Sequence, residues 1–153
     1  MESMRQAYRM GCCRGNASSS QTDSAGDGSI VRATVRTIMT VTSATLVDLL
    51  ATLVNVPSET GHEAAIADLV SARLRAGARG EILKASNNVV WRGPQRGRPL
   101  VVLAGHLDTV PAQGNAVARL EGDKLFGLGT SDMKSGDAVM LALGETLDPA
   151  ALR

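Results

Sequence analysis

Two short segments carry residues whose types and spacing could do chemistry. The first is Gly105-His106-Leu107-Asp108-Thr109, which follows the apolar run Leu100-Val-Val-Leu-Ala104. In extended chain, side chains two residues apart point the same way, so His106 and Asp108 stand side by side. A carboxylate beside an imidazole fixes one ring nitrogen as a donor and leaves the other free to bind a metal. The same pair is also how an ordinary histidine at a strand end is satisfied, and His-x-Asp alone leaves both readings open.

The second segment is Gly127-Leu-Gly129-Thr-Ser-Asp132-Met-Lys-Ser-Gly136. Glycines around a polar tip describe a tight loop feeding a helix, with Asp132 at its mouth. Asp132 could simply cap that helix. It could equally be a carboxylate held by a rigid loop so that its oxygens face a metal pair. The chain has only two histidines, and His62, the other one, lies where a helix starts, which favours a solvated role over a ligand role.

The elements that must position these residues can be read from periodicity. Leu46, Val47, Leu49, Leu50, Leu53 and Val54 recur at helical spacing from Ser43 until Pro57 ends the run. Thr60-Gly-His-Glu63 has the form of a capping box, with Ile66, Leu69, Val70 and Leu74 as the buried stripe of a second helix closed by Gly77. Glu81 to Lys84 and Val89 to Arg92 read as short strands about the turn former Asn87-Asn88, and residues 93–97 as a loop. The run 100–104, apolar without alternation, predicts a central strand covered on both faces. Residues 119–120 and 124–126 predict a hairpin around Glu121-Gly-Asp123. A last helix, Asp132 to Leu147, would bury Val139, Met140, Leu143 and Leu147, weakened by Gly136 and Gly144. Helices mixed with a buried apolar strand predict an α/β layered domain. Strand-end placement puts His106 and Asp108 where sites form in such sheets.

Composition narrows the function classes. The 153 residues are 44% hydrophobic and 20% charged, ordinary values for one globular domain. Net charge is +1 and aromatic residues make up 2%, so neither a basic footprint nor a stacking platform for nucleic acid is present. No apolar stretch is long enough to span a membrane. Cys12 and Cys13 are adjacent and suit neither a disulfide framework nor a metal knuckle, which predicts a cytoplasmic protein. Residues 1–42 are small, polar and aperiodic, and are expected to be a disordered or non-native extension, with Met39 a plausible true start.

Taken together, Ala104-Gly-His-Leu-Asp-Thr-Val-Pro111 and Gly129-Thr-Ser-Asp-Met-Lys-Ser-Gly136 resemble the metal-binding signature of the M20 family of zinc amidohydrolases and peptidases. Within it, Val110-Pro-Ala-Gln-Gly-Asn115 and Asp132-Met-Lys-Ser-Gly-Asp-Ala-Val139 are similar to succinyl-diaminopimelate desuccinylases of the actinobacterial type. The resemblance runs from about Thr45 to the end of the chain and includes Val56-Pro-Ser-Glu-Thr60. It implies a three-layer αβα catalytic domain with a mostly parallel sheet, of which residues 43–153 would be the N-terminal part, truncated before the later strands.

The resemblance also implies roles. His106 would be a ligand of one zinc, Asp132 the carboxylate bridging two zincs, and Asp108 the acid that orients His106. The Asp132–Met133 peptide would be cis. Cobalt could substitute for zinc. The reaction would be metal-assisted hydrolysis of a succinyl amide on a small molecule, N-succinyl-diaminopimelate, in lysine and diaminopimelate biosynthesis, by a homodimer that uses no nucleic acid or membrane. The glutamate that serves as general base, the glutamate beside it and a second ligand histidine have no counterpart in this chain, so the 153-residue polypeptide is expected to be inactive alone. Other M20 activities, acetylornithine deacetylase or aminoacyl carboxypeptidase, and a non-catalytic remnant are the competing expectations.

Overall fold

The computed structural model describes residues 7–9, 41–93, 97 and 99–148. Most of the expected disordered extension, and part of the loop at 93–97, lie outside the described residues. The elements run β1 (Ala7–Arg9), α1 (Ser43–Val54), α2 (Ala64–Gly77), β2 (Glu81–Ala85), β3 (Asn88–Arg92), β4 (Arg119–Glu121), β5 (Lys124–Phe126) and α3 (Lys134–Thr146).

Helix α1 begins where Thr42 accepts the Thr45 amide at 3.2 Å, an N-cap that satisfies one of the free donors of the first turn. It buries Leu49, Leu50, Leu53 and Val54, four of the six residues of the expected stripe. Helix α2 contributes Ile66, Ala67, Val70 and Leu74, and ends at Gly77 as its sequence indicates. Leu125 of the second hairpin and Ala138 and Leu141 of α3 complete the core.

Helix α3 presents a different face from the one its apolar residues suggest. Lys134, Asp137, Ala138, Leu141, Ala142 and Gly144 are buried, whereas Val139 is exposed and Met140, Leu143 and Leu147 are half-buried. The reason is close approach. A Cβ on Gly144 would stand 2.9 Å from Leu74 Cδ2, so small residues face α2 and the larger ones are displaced to the outside. Arg73 of α2 and Glu145 of α3 close this contact with two hydrogen bonds of 2.9 and 3.1 Å.

The strands form two small antiparallel sheets. One is the hairpin β2–β3, turning at Ser86-Asn87, one residue earlier than its sequence suggests. The other has the order β1-β5-β4, in which Ala7–Arg9, expected to be disordered, pair with Lys124–Phe126. The mixed helix and strand content fits a partial α/β domain. Among the described residues every named strand pair is antiparallel, and the one parallel pairing is the isolated bridge Glu59↔Thr109.

The expected central strand is not formed. Leu100, Val101, Val102 and Leu103 are 79, 81, 68 and 63% exposed, and residues 100–104 have no strand assignment. A strand requires neighbours that supply its ladder hydrogen bonds. Among the described residues neither sheet includes this run.

Candidate functional site

Three connections build the site from the two motif segments and the α1–α2 linker. The first joins the α1–α2 linker to the His106 segment: Thr109 N donates to Ser58 O at 2.8 Å and Thr60 N donates to Thr109 O at 3.1 Å. This two-bond parallel pairing holds Asp108 against Thr60, whose hydroxyl donates to Asp108 Oδ2 at 2.9 Å. The expected capping box is not made, because α2 begins at Ala64 with Glu63 at its N-cap, three residues beyond Thr60. The Thr60 hydroxyl is committed to Asp108, and the Glu63 carboxylate accepts from the Gly61 amide instead of that of Thr60. Glu63 also accepts from Asn87 Nδ2 at 2.9 Å, tying the linker to the first hairpin. Both contacts, led by that with Gly61, hold its carboxyl below the ordinary glutamate range.

The second connection is within the motif. His106 Nδ1 lies 3.1 Å from the Asp108 carbonyl and 3.2 Å from Asp108 Oδ1. The third spans the motifs: His106 Nε2 lies 3.0 Å from Asp132 Oδ1. Asp132 does not cap α3, whose N-cap position is Met133 with no side-chain cap bond. The Asp132–Met133 peptide is cis. His106, Asp108 and Asp132 thus form one row, with Thr60 at its far end.

The electrostatics follow from this row. Each ring nitrogen of His106 faces carboxylate or carbonyl oxygen, an arrangement in which both nitrogens can donate only in the protonated ring. The hydrogen bond to Asp132 above all, helped by the Asp108 carbonyl, raises the imidazole pKa above its ordinary value. The Thr60 hydroxyl, chiefly, holds the Asp108 carboxyl below the usual carboxylate range.

Beneath the row lie two charged residues whose roles sequence reasoning missed. Lys134 is 2% exposed, and its Nζ donates to the carbonyls of Leu53 and Val56 at 2.9 Å each. Burial lowers its pKa. Asp137 is buried one helical turn on, and its Oδ2 has no hydrogen-bond partner among the described residues. Burial pushes its carboxyl up to about 6, against the pull of His106 and Lys134. Asp137 packs against the backbone just before His106: a Cβ on Gly105 would stand 2.6 Å from Asp137 Oδ1 and 2.6 Å from the Met140 methyl. Lysine and aspartate are so seldom buried that their types argue against such positions, and the Lys134/Asp137 spacing of one helical turn is the single signal the sequence offers.

An imidazole nitrogen and a carboxylate oxygen are suitable zinc donors. Two ligands of a tetrahedral zinc stand about 3.4 Å apart, so the pair at 3.0 Å would admit an ion by opening about 0.4 Å. With Nδ1 donating to Asp108, a metal at Nε2 would take the place of the proton that Nε2 otherwise directs at Asp132. The donors therefore fit zinc in kind but not in number: among the described residues no group of three His, Cys, Asp or Glu side chains could hold an ion. His62 is exposed on the turn before α2, with its amide donating to Glu59 O at 2.7 Å, and joins no such group. No helix of the described residues is long and apolar enough to cross a membrane.

Residues 102–153 match the sequence profile of peptidase family M20/M25/M40. A Mycobacterium tuberculosis protein named as a succinyl-diaminopimelate desuccinylase is 52% identical over 102 residues, covering 66% of this chain and 29% of that protein. Succinyl-diaminopimelate desuccinylase of Corynebacterium glutamicum is 43% identical over 99 residues, covering 62% and 26%. Carboxypeptidase G2 of a Pseudomonas species is 40% identical over 62 residues, covering 39% and 15%. The chain thus spans less than a third of the length of these relatives.

Proposed function

Taking the match of residues 102–153 to peptidase family M20/M25/M40 as premise, we propose that this chain supplies the first metal ligands of a zinc-dependent amide hydrolase. In this reading the whole enzyme cleaves N-succinyl-diaminopimelate to succinate and diaminopimelate, in diaminopimelate and lysine synthesis. The observation that supports it is the approach of His106 Nε2 to Asp132 Oδ1 at 3.0 Å, with Asp108 on the opposite ring nitrogen.

Each residue has a separate task. His106 offers Nε2, Asp132 offers Oδ1, and Asp108 accepts a hydrogen bond from Nδ1–H so that the imidazole stays in one tautomer. Thr60 holds Asp108 in place from behind. Zinc, when bound, lowers the pKa of water and polarises the amide carbonyl. The parallel αβα layering, the homodimer and the second zinc belong to the same proposal. So does the inactivity of the 153-residue chain by itself, since His106 and Asp132 fall short of the three protein ligands a catalytic zinc usually takes. The relatives favour the succinylated substrate: those 52% and 43% identical over about 100 residues carry the desuccinylase name, whereas the carboxypeptidase matches over 62 residues.

The test is a chimera in which residues 45–153 replace the matching segment of the Corynebacterium glutamicum relative. Succinate release from N-succinyl-diaminopimelate, lost on His106→Ala within the chimera, is the expected result. A folded chimera that instead hydrolyses acetylornithine would overturn the substrate assignment. Retained turnover in the His106→Ala chimera would overturn the site.

A further inference from the structure

The carboxylate of Asp132 is 73% exposed, and His106 is its hydrogen-bond partner. An exposed side chain with one contact does not fix its own direction, so the loop beneath must. That loop is built around Lys134. The Lys134 amide donates to Gly129 O at 2.9 Å, and the Thr130 hydroxyl donates to Gly127 O at 3.0 Å. Gly129 has φ +80, and a Cβ there would lie 3.2 and 3.3 Å from Lys134 Cδ and Cγ, so the loop wraps tightly around the lysine stem.

From this loop the side chain passes inward to α1. Its ammonium meets the Leu53 carbonyl in the last turn of α1 and the Val56 carbonyl just beyond, where the negative end of the helix dipole favours a cation. An apolar side chain would fill the same space without the cost of burying a charge. What the ammonium adds is direction, because two carbonyls at 2.9 Å define where the end of the side chain must sit.

We propose that Lys134 is a positioning residue for Asp132, its buried ammonium anchoring the Gly129–Lys134 loop to the C-terminus of α1 so that the Asp132 carboxylate faces His106. The inference rests on the reading of His106 and Asp132 as a functional pair, and concerns how the pair is held before any metal binds.

The experiment is NMR on the 15N-labelled 153-residue chain at one pH and without metal. With only two histidines, His106→Gln assigns the imidazole signals. Asp132→Asn defines the His106 signature of a broken pair. Lys134→Met keeps the stem and removes the donors. The expected result is cooperative melting with helical circular dichroism retained, and a His106 Nε2 resonance displaced most of the way to the Asp132→Asn position. A folded Lys134→Met chain with wild-type His106 resonances would overturn the proposal. If Lys134→Met does not melt cooperatively, Lys134→Gln decides, because its shorter amide cannot reach both carbonyls. Displaced His106 resonances support the anchor and unshifted ones overturn it. If both variants fail to fold, Lys134 serves the fold at large and the proposal is wrong. Failure of the wild-type chain to bind zinc would count against the metal reading alone, since no arm of this experiment uses metal.

Discussion

Thr60 and Asp108, 48 positions apart, are joined by a hydrogen bond of 2.9 Å from the threonine hydroxyl to Oδ2 of the carboxylate. It is the largest cause of the depressed Asp108 pKa. Replacing Thr60 with Val should therefore raise the Asp108 pKa toward the ordinary range, while Thr60→Ser keeps it low. Carboxyl 13C titration by NMR measures this directly. An unchanged Asp108 titration in Thr60→Val would show that the hydroxyl does not hold the carboxylate.

Zinc binding by the isolated chain should be weak but specific to the row. Titration with zinc should move the His106 imidazole resonances and leave those of His62 in place. His106→Ala should abolish binding. Asp108→Asn should weaken it by about 10- to 100-fold, as loss of an acceptor behind a histidine ligand does in other zinc sites. Isothermal titration calorimetry checks both variants. Binding of equal strength in His106→Ala would place the metal elsewhere.

The buried Asp137 makes stability depend on pH. Its folded pKa, about 6 against an ordinary 3.8, means that the folded chain holds this proton more tightly than the unfolded chain. Stability should therefore fall as pH rises from about 4 to about 6 and level off above, by about 1–3 kcal/mol. Asp137→Asn should remove that slope and be the more stable protein at neutral pH. His106 has the same sign in a higher window: its raised pKa contributes stability that is complete below 6.5 and lost as pH rises through the folded value. Urea denaturation across pH 4–9 separates the two, because Asp137→Asn should flatten the lower window and Asp132→Asn the upper.

The run Leu100–Leu103 is an exposed, uncharged apolar segment, the kind of surface that associates. The purified chain should self-associate with rising concentration, and Val101→Lys or Leu103→Lys should shift it toward monomer. Sedimentation velocity over a concentration series is the measurement. A wild-type chain that stays monomeric throughout would mean the run is shielded in solution.

Much of the local structure is legible in the residues. The stripe from Leu49 to Val54, the stop at Gly77 and the hairpin around Glu121-Gly-Asp123 follow from periodicity and turn chemistry, and all are present. The capping box at Thr60 is not, because α2 begins at Ala64 with Glu63 at its N-cap, three residues beyond the threonine expected to cap it. The buried face of α3 is not legible either. Val139 and Met140 outrank Ala138 and Ala142 in hydrophobicity, but a tightly packed partner helix selects for small size.

By itself the sequence determined which residues could do chemistry here: His106, Asp108 and Asp132, with the helices and turns on either side of them. Those properties are local, set by residue type and by spacings of two to four positions. Only the tertiary structure decided that His106 meets Asp132 across 26 residues, that Thr60 stands behind Asp108, and that a lysine is buried under the loop. Each is a distance between segments far apart in the chain, fixed by how α1, α2 and α3 pack. The exposure of residues 100–103 is of the same kind, since a run suited to the centre of a sheet becomes a strand only where neighbouring strands are present to pair with it.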